Sequence, residues 1–392
     1  MLIRYSAMHA GPSDDVTEWR YHVTMKAAIM FFSLCLPAMA DLAAGQQALK
    51  NGDYATAVKE FLPLAKQGNA VAQVNLGVIF HLGQGVAQDY KEALRWYRLA
   101  ADQGNAVAQA GLGVMYIQGH GVPQDYTEAA RWFRLAAHQG DASAQAGLGA
   151  MYHEGLGVAQ DYKEAVRWYR LAAEQGIAPV QVKLGFMYAQ GLGVAQDYKE
   201  AARWFRLAAG QGDASAQASL GFTYDEGYGA PQDYKEAIRW YRLAAEQGNA
   251  VAQLKLAFMY IQGHGVPQDY TEAARWFRLA ADQGDASAQA SLGLMYSEGH
   301  GVPKDYTEAA RWFRLAAEQG NATAQANLGV MYAHGHGVAQ DYIRAHLWLN
   351  LAAAGGDSEA VEFRDTLASK MTPDQIAEAQ RLAREWKPKT SR

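Results

Sequence analysis

The sequence predicts an all-α fold, a solenoid of 36-residue helix-pair repeats, on three observations. An Asp-Tyr dipeptide begins at Asp89, Asp125, Asp161, Asp197, Asp233, Asp269, Asp305 and Asp341, each 36 residues after the last, with an earlier copy at Asp53. Trp96, Trp132, Trp168, Trp204, Trp240, Trp276, Trp312 and Trp348 keep that step, and so do the glutamines from Gln73 to Gln325. A fixed period of this size marks a repeat array. No copy carries an insertion, so the register is unbroken over residues 69–356. Such an array folds as one quasi-linear body in which each unit touches its neighbours. Half of the residues are apolar, and the formal net charge of −5 gives no basic footprint for a phosphate backbone, which argues against a nucleic-acid partner.

Residues 1–40 read as an N-terminal extension and a signal peptide. Met25-Lys26 precedes a mostly apolar run from Ala27 to Leu36, and Pro37 leads into Ala38-Met39-Ala40 before Asp41. One positive charge, a short apolar core and a small-residue cleavage triplet are the order of a secretory signal, and the run is too short to span a bilayer. Cleavage between Ala40 and Asp41, with translation starting at Met25 rather than Met1, is the expectation, and it places the mature chain in the periplasm or outside the cell. Cys35, the only cysteine, lies inside that leader, so the mature chain would hold no disulfide.

Residues 41–68 read as an N-terminal capping pair of helices, Asp41 to Lys50 and Tyr54 to Lys66, joined by the short Asn51-Gly52-Asp53 turn. Eight repeats follow. In the unit at residues 105–140, Asn105 suits the N-cap of a first helix. Ala108, Leu112, Met115 and Tyr116 give that helix one apolar face. Gly119 to Gln124 breaks it. Asp125-Tyr126-Thr127-Glu128 then has the spacing of a capping box, with Glu128 reaching back to the cap amide. Ala129, Trp132, Phe133 and Ala136 form the buried stripe of the second helix, Gly140 stops it, and Arg131 and Arg134 fall on its solvated side.

The pattern Ala-x-Ala-Gln-x-x-Leu-Gly-x-Met-Tyr, a Gly-x-Gly-Val loop, Asp-Tyr-x-x-Ala-x-x-Trp and Ala-Ala-x-x-Gly resembles the Sel-one-like repeat, a relative of the tetratricopeptide repeat with a longer, glycine-bearing loop. It covers about three quarters of the chain. The resemblance implies a right-handed α/α superhelical solenoid that acts as a non-enzymatic adaptor or scaffold in protein complexes, often in the bacterial cell envelope. Departures are local: Phe80 for the first-helix Tyr, Ile177-Ala178-Pro179 for the cap, Ala257 for Gly, and Arg344 for the box Glu. Residues 357–392 read as C-terminal capping helices. Thr372-Pro373-Asp374-Gln375 opens the last with a capping box, and Ile376, Ala379, Ala383 and Trp386 form one stripe, as a polar-backed lid would.

Catalytic motifs are missing from the sequence: no Ser-x-x-Lys, G-x-S-x-G or H-E-x-x-H occurs, and no cofactor is implied. Loop histidines recur at His120, His264, His300 and His336. His334-Gly335-His336 is short of a tetrahedral metal set, so they read as exposed loop residues, with no metal site. Two other readings come with the resemblance: a periplasmic regulator that holds a signalling protein inactive, and a β-lactam-binding or -hydrolysing enzyme, whose disulfide-held relatives this chain cannot match.

The expected binding surface lies on the first helices. The apolar face leaves positions 107, 110, 114, 117 and 118 opposite, with Gln109 and Gly113 on a flank facing the neighbouring first helix. By the resemblance to tetratricopeptide arrays, that outward side lines the concave face. Position 114 of the unit runs Val78, Val114, Ala150, Phe186, Phe222, Phe258, Leu294, Val330, so three successive copies carry Phe, near Lys183, Lys255, Asp225 and Glu226. Apolar strips rimmed by charge mark sites for a protein partner or peptide segment.

Overall fold

The computed structural model describes residues 40–389, which form twenty helices and no strand. The apolar leader and Ala38 lie outside the described residues, and Ala40 and Asp41 open the first helix. The chain divides into two compact units between Asp197 and Tyr198. Unit one holds α1 (Ala40–Lys50), α2 (Tyr54–Lys66), α3 (Ala70–Leu82), α4 (Tyr90–Asp102), α5 (Ala106–Gln118), α6 (Tyr126–His138), α7 (Ala142–Glu154), α8 (Tyr162–Glu174) and α9 (Ala178–Gln190). Unit two begins with α10 (Tyr198–Gly210), α11 (Ala214–Glu226), α12 (Tyr234–Glu246), α13 (Ala250–Gln262), α14 (Tyr270–Asp282), α15 (Ala286–Glu298) and α16 (Tyr306–Glu318). It ends with α17 (Ala322–His334), α18 (Tyr342–Ala354), α19 (Ser358–Ala368) and α20 (Pro373–Glu385).

Each helix starts and stops where a particular side chain makes it. Asn105 Oδ1 accepts from the Ala108 amide at 3.0 Å, and Gly119 ends α5 in the left-handed region at φ +68°. Asp125 Oδ1 accepts from the Thr127 and Glu128 amides at 2.9 and 3.1 Å to open α6. The reciprocal half of the expected capping box is replaced. The Asp125 amide donates to the Tyr116 carbonyl at 3.0 Å, so it needs no carboxylate, and Glu128 pairs with Arg131 instead. The Thr372–Gln375 box is reciprocal, at 2.9 and 3.3 Å. At Ile177 no side-chain cap forms, yet α9 still begins at Ala178, with Pro179 in its first turn where a missing amide proton costs nothing.

Packing follows a small-against-large rule. A Cβ on Gly113 would come within 2.7 Å of the Phe133 ring, so this glycine admits the aromatic of its own second helix rather than facing a neighbouring first helix as the spacing suggests. Gly147 of the next repeat closes on the other side of the same ring, its Cβ position 3.1 Å away. Trp132 packs with Val74, Tyr97 and Leu112 of the preceding repeat and its own, filling the groove between them.

Polar ladders lock the stack. Gln109 is buried: its amide donates to the Ala101 carbonyl at 3.3 Å, and its carbonyl accepts from Gln139 at 2.7 Å. Arg134 is not merely solvated, since it donates to the Tyr152 hydroxyl of the next repeat at 3.2 Å. The loop histidines also do more than fill an exposed turn. His120 stacks on Tyr90 of the preceding repeat at 3.9 Å, and His264 on Tyr234 at 4.4 Å. The adjoining Gly121 has φ +73°, and a Cβ there would sit 2.6 Å from the Tyr90 carbonyl oxygen, so only glycine allows the loop to close on that helix.

The lid is docked. In unit two Ala379 is fully buried, the Trp386 ring meets Trp348 edge-on at 6.3 Å, and Lys389 bonds Glu318 through both amide and ammonium at 2.8 Å.

Candidate protein-interaction site

Within each unit, consecutive first helices lie against one another, α3 with α5 and α5 with α7 in unit one, α11 with α13 and α15 with α17 in unit two. A first helix is therefore enclosed by its own second helix and by neighbours on both sides. This overturns part of the sequence reading. Ala110, expected on the outward side, is buried, as are its counterparts Ala218 and Leu254. What stays open is a narrower strip around positions 107, 114, 117 and 118. At position 114 no copy is buried: Phe186 is 37 % exposed, Leu294 is exposed, and Phe222 and Phe258 are half-buried.

The two rings of unit two are placed by different contacts. Phe258 packs edge-on against Phe277 of its second helix at 5.1 Å. Phe222 lies beside Tyr228 at 6.0 Å, and Tyr228 stacks on Tyr198 at 5.0 Å, so three aromatics with two exposed members, Tyr198 and Tyr228, form one cluster. Lys255 sits over the Phe222 ring at 5.3 Å and pairs with Asp225 at 4.0 Å and Glu226 at 3.8 Å. The structure thus joins Phe222, Lys255, Asp225 and Glu226 into one contact group, with Phe258 against the same buried cluster as Phe222. Phe186 and half-buried Lys183 belong to unit one.

Burial makes this group electrostatically tense. The Lys255 and Asp225 side chains are 18 % and 15 % exposed. Burial raises the Asp225 pKa above the usual carboxylate value, and Lys255 pulls it down without cancelling that rise. Asp225 also accepts from the Tyr241 hydroxyl at 3.3 Å, and burial pushes that phenol well above its ordinary range.

Sequence reasoning missed Tyr241, although the repeats signal its role. Wherever the ring of the second helix is Tyr97, Tyr169 or Tyr241, the first helix offers His81, His153 or Asp225. Where it is Phe133, Phe205, Phe277 or Phe313, the first helix has Ile117, Ala189, Ile261 or Ser297. His81 and His153 lie 6.4 Å from Tyr97 and Tyr169. At Tyr241 the polar group accepts from the hydroxyl, and at Tyr97 and Tyr169 a polar ring lies beside the phenol.

Among the described residues, no three His, Cys, Asp or Glu side chains are grouped to hold a metal ion. His334 and His336 stack on each other at 5.4 Å, and His336 also stacks on Tyr306. No helix among the described residues is long and apolar enough to cross a membrane.

The family model described as Sel1 repeat matches residues 70–105, 106–141, 142–177, 178–213, 214–249, 250–285, 286–321 and 322–357. Among solved structures, a Sel1 repeat protein from Oxalobacter formigenes is 33 % identical with a TM-score of 0.63, over 88 % of this chain and 99 % of that one. A protective antigen present in uropathogenic Escherichia coli strains, displaying an SLR fold, is 34 % identical with a TM-score of 0.59, over 88 % of this chain and 83 % of that one. Curated proteins gave no match.

Proposed function

The chain belongs to the Sel1 repeat family, whose members are generally protein-interaction scaffolds, and on that premise we propose that it is a non-enzymatic adaptor of the bacterial cell envelope. It is exported by the leader that ends at Ala40, and it binds a protein or peptide segment on the inner face lined by its first helices.

The observation that carries this reading is the open strip at position 114. There Phe222 and Phe258 remain half-exposed in an otherwise enclosed helix layer, rimmed by Lys255, Asp225 and Glu226. Aromatic rings amid charge are what interface centres are made of. The perturbed groups Asp225 and Tyr241 hold each other and Lys255, which is a structural use of their burial rather than an acid–base pair aimed at a substrate. The similar Escherichia coli protein is a protective antigen, a description that supports an exported location.

Two measurements test the reading. Mass spectrometry of the native protein should find its N-terminus at Asp41. The chain used as bait on detergent-solubilised envelope of its own cell should retain a defined protein that the Phe222→Ala, Phe258→Ala variant releases. An N-terminus at Met1 in the cytoplasm removes the envelope claim, and a partner retained equally by both baits removes the inner-face site.

A further inference from the structure

The second helices carry a surface that an inner-face site does not use. In unit two Leu207, Leu243, Leu279 and Leu315 occupy one position of α10, α12, α14 and α16, and all are 38–45 % exposed. On α12 the exposed residues Arg239, Arg242, Leu243 and Glu246 fall on one stripe by helical spacing. The order repeats: Arg275 and Arg278, then Leu279 and Asp282, on α14, and Arg311 and Arg314, then Leu315 and Glu318, on α16. Stacked repeats therefore draw a basic row and a leucine row across this unit, and beside them an acidic row at Glu246 and Asp282 that gives way to Gly210 on α10 and ends at Glu318, already paired with Lys389. In unit one Leu99, Leu135 and Leu171 are exposed in the same way.

The basic row is held in place. Arg239 lies over the Trp240 ring at 5.2 Å and pairs with Glu236 at 3.3 Å, while Arg242 donates to the Tyr260 hydroxyl at 2.8 Å. A guanidinium has five N–H donors, so each retains donors for a further acceptor, already oriented.

From this arrangement we infer that the outer face of the second helices in unit two is an interface between two copies of this chain. A two-fold axis through the leucine row sets the helices of one copy antiparallel to those of the other. Leucine then meets leucine, and each basic row meets the partner's acidic row. A parallel arrangement would set like charge on like. The occupant is a second copy because the spacing of the rows is the spacing of the repeat, so one register engages every leucine at once. The assembly goes beyond the adaptor reading and stands apart from it: it would present two inner faces and so raise avidity for a repeated or paired partner.

Sedimentation velocity and light scattering on the whole chain, across a wide concentration range, test this. The wild type should pass from monomer to dimer. Leu207→Ser, Leu243→Ser, Leu279→Ser and Leu315→Ser together should weaken association by roughly a hundredfold or more, the scale of central interface anchors. Circular dichroism and the melting curve should be unchanged. Should that variant fold poorly, Glu246→Lys with Asp282→Lys alters only exposed charge, and it should weaken the dimer and reduce its dependence on salt. A wild type that is monomeric at every concentration overturns the inference. So does a dimer indifferent to both variants, or a monomer that uses this face only for a different protein.

Discussion

Replacing Lys255 by Met should strand a carboxylate inside unit two. Lys255 Nζ stands 4.0 Å from Asp225 Oδ2 and 3.8 Å from Glu226 Oε1, and the Lys255 and Asp225 side chains are 18 % and 15 % exposed. Two unit charges about 4 Å apart attract by roughly 4 kcal/mol at an effective dielectric constant of about 20, before desolvation is counted. Exposed pairs contribute about 0–1 kcal/mol, and stranding one member of a buried pair costs roughly 3–5 kcal/mol. This pair lies between those limits, and a loss of about 2 kcal/mol at neutral pH is expected. The pH dependence gives the sharper test. Burial already raises the Asp225 pKa, and Lys255 opposes the rise, so the variant raises it further. Between its unfolded and folded pKa values the native state then binds the extra proton, so stability falls as pH rises through that window. The deficit of the variant should therefore be largest at neutral pH and shrink on acidification as Asp225 takes up its proton. Urea unfolding followed by circular dichroism at several pH values, with Asp225→Leu and the double variant completing the cycle, measures this. A variant as stable as wild type at neutral pH, or a deficit that grows in acid, would refute the reasoning.

Three further outcomes are expected. Gln109→Ala removes the bonds to Ala101 and Gln139, while the Ala101 carbonyl keeps the Gly104 amide, so the loss of the two side-chain bonds should cost about 1–2 kcal/mol in denaturant unfolding. Burial, with the His120 charge added, lowers the His81 pKa to about 4 from 6.5. The unfolded chain then takes up the proton first, so His81 should make stability fall by at most roughly 3 kcal/mol as pH drops from about 6.5 toward about 4. His81→Phe, set among Tyr90, Tyr97 and His120, should flatten that slope in melting curves. Deleting residues 357–392 uncovers the apolar face of α18 against which Trp386 packs, and should lower the melting temperature or the solubility.

Much of the fold was legible because each repeat writes it again. Asn105, Gly119, Asp125 and Gly140 fix the helix ends through local chemistry, which spacing reveals. What spacing did not reveal were contacts between segments. The Asp125 amide is taken by the Tyr116 carbonyl, so the box glutamate keeps its i,i+3 pair with Arg131, which helical spacing does give, and makes no reach back to the cap. Gly113 was read as a gap between first helices, whereas it receives Phe133, because which neighbour fills a gap depends on helix packing and not on sequence step. The open strip at position 114 was legible from helical periodicity, yet Ala110 was misplaced, since one helix with neighbours on three sides buries more than a single stripe. Tyr241, which completes the Lys255 and Asp225 group, lies 16 positions after Asp225, and only comparison among the repeats connects the two.

The proposed binding by first helices is tested most directly by Phe186→Ala in unit one and Phe222→Ala with Phe258→Ala in unit two, all made together, with partner capture and thermal unfolding measured on the same preparation. Half-open rings that serve a partner predict that capture is lost while the unfolding midpoint moves little. Capture left intact beside a large fall in the midpoint would contradict the claim and make the three rings part of the core.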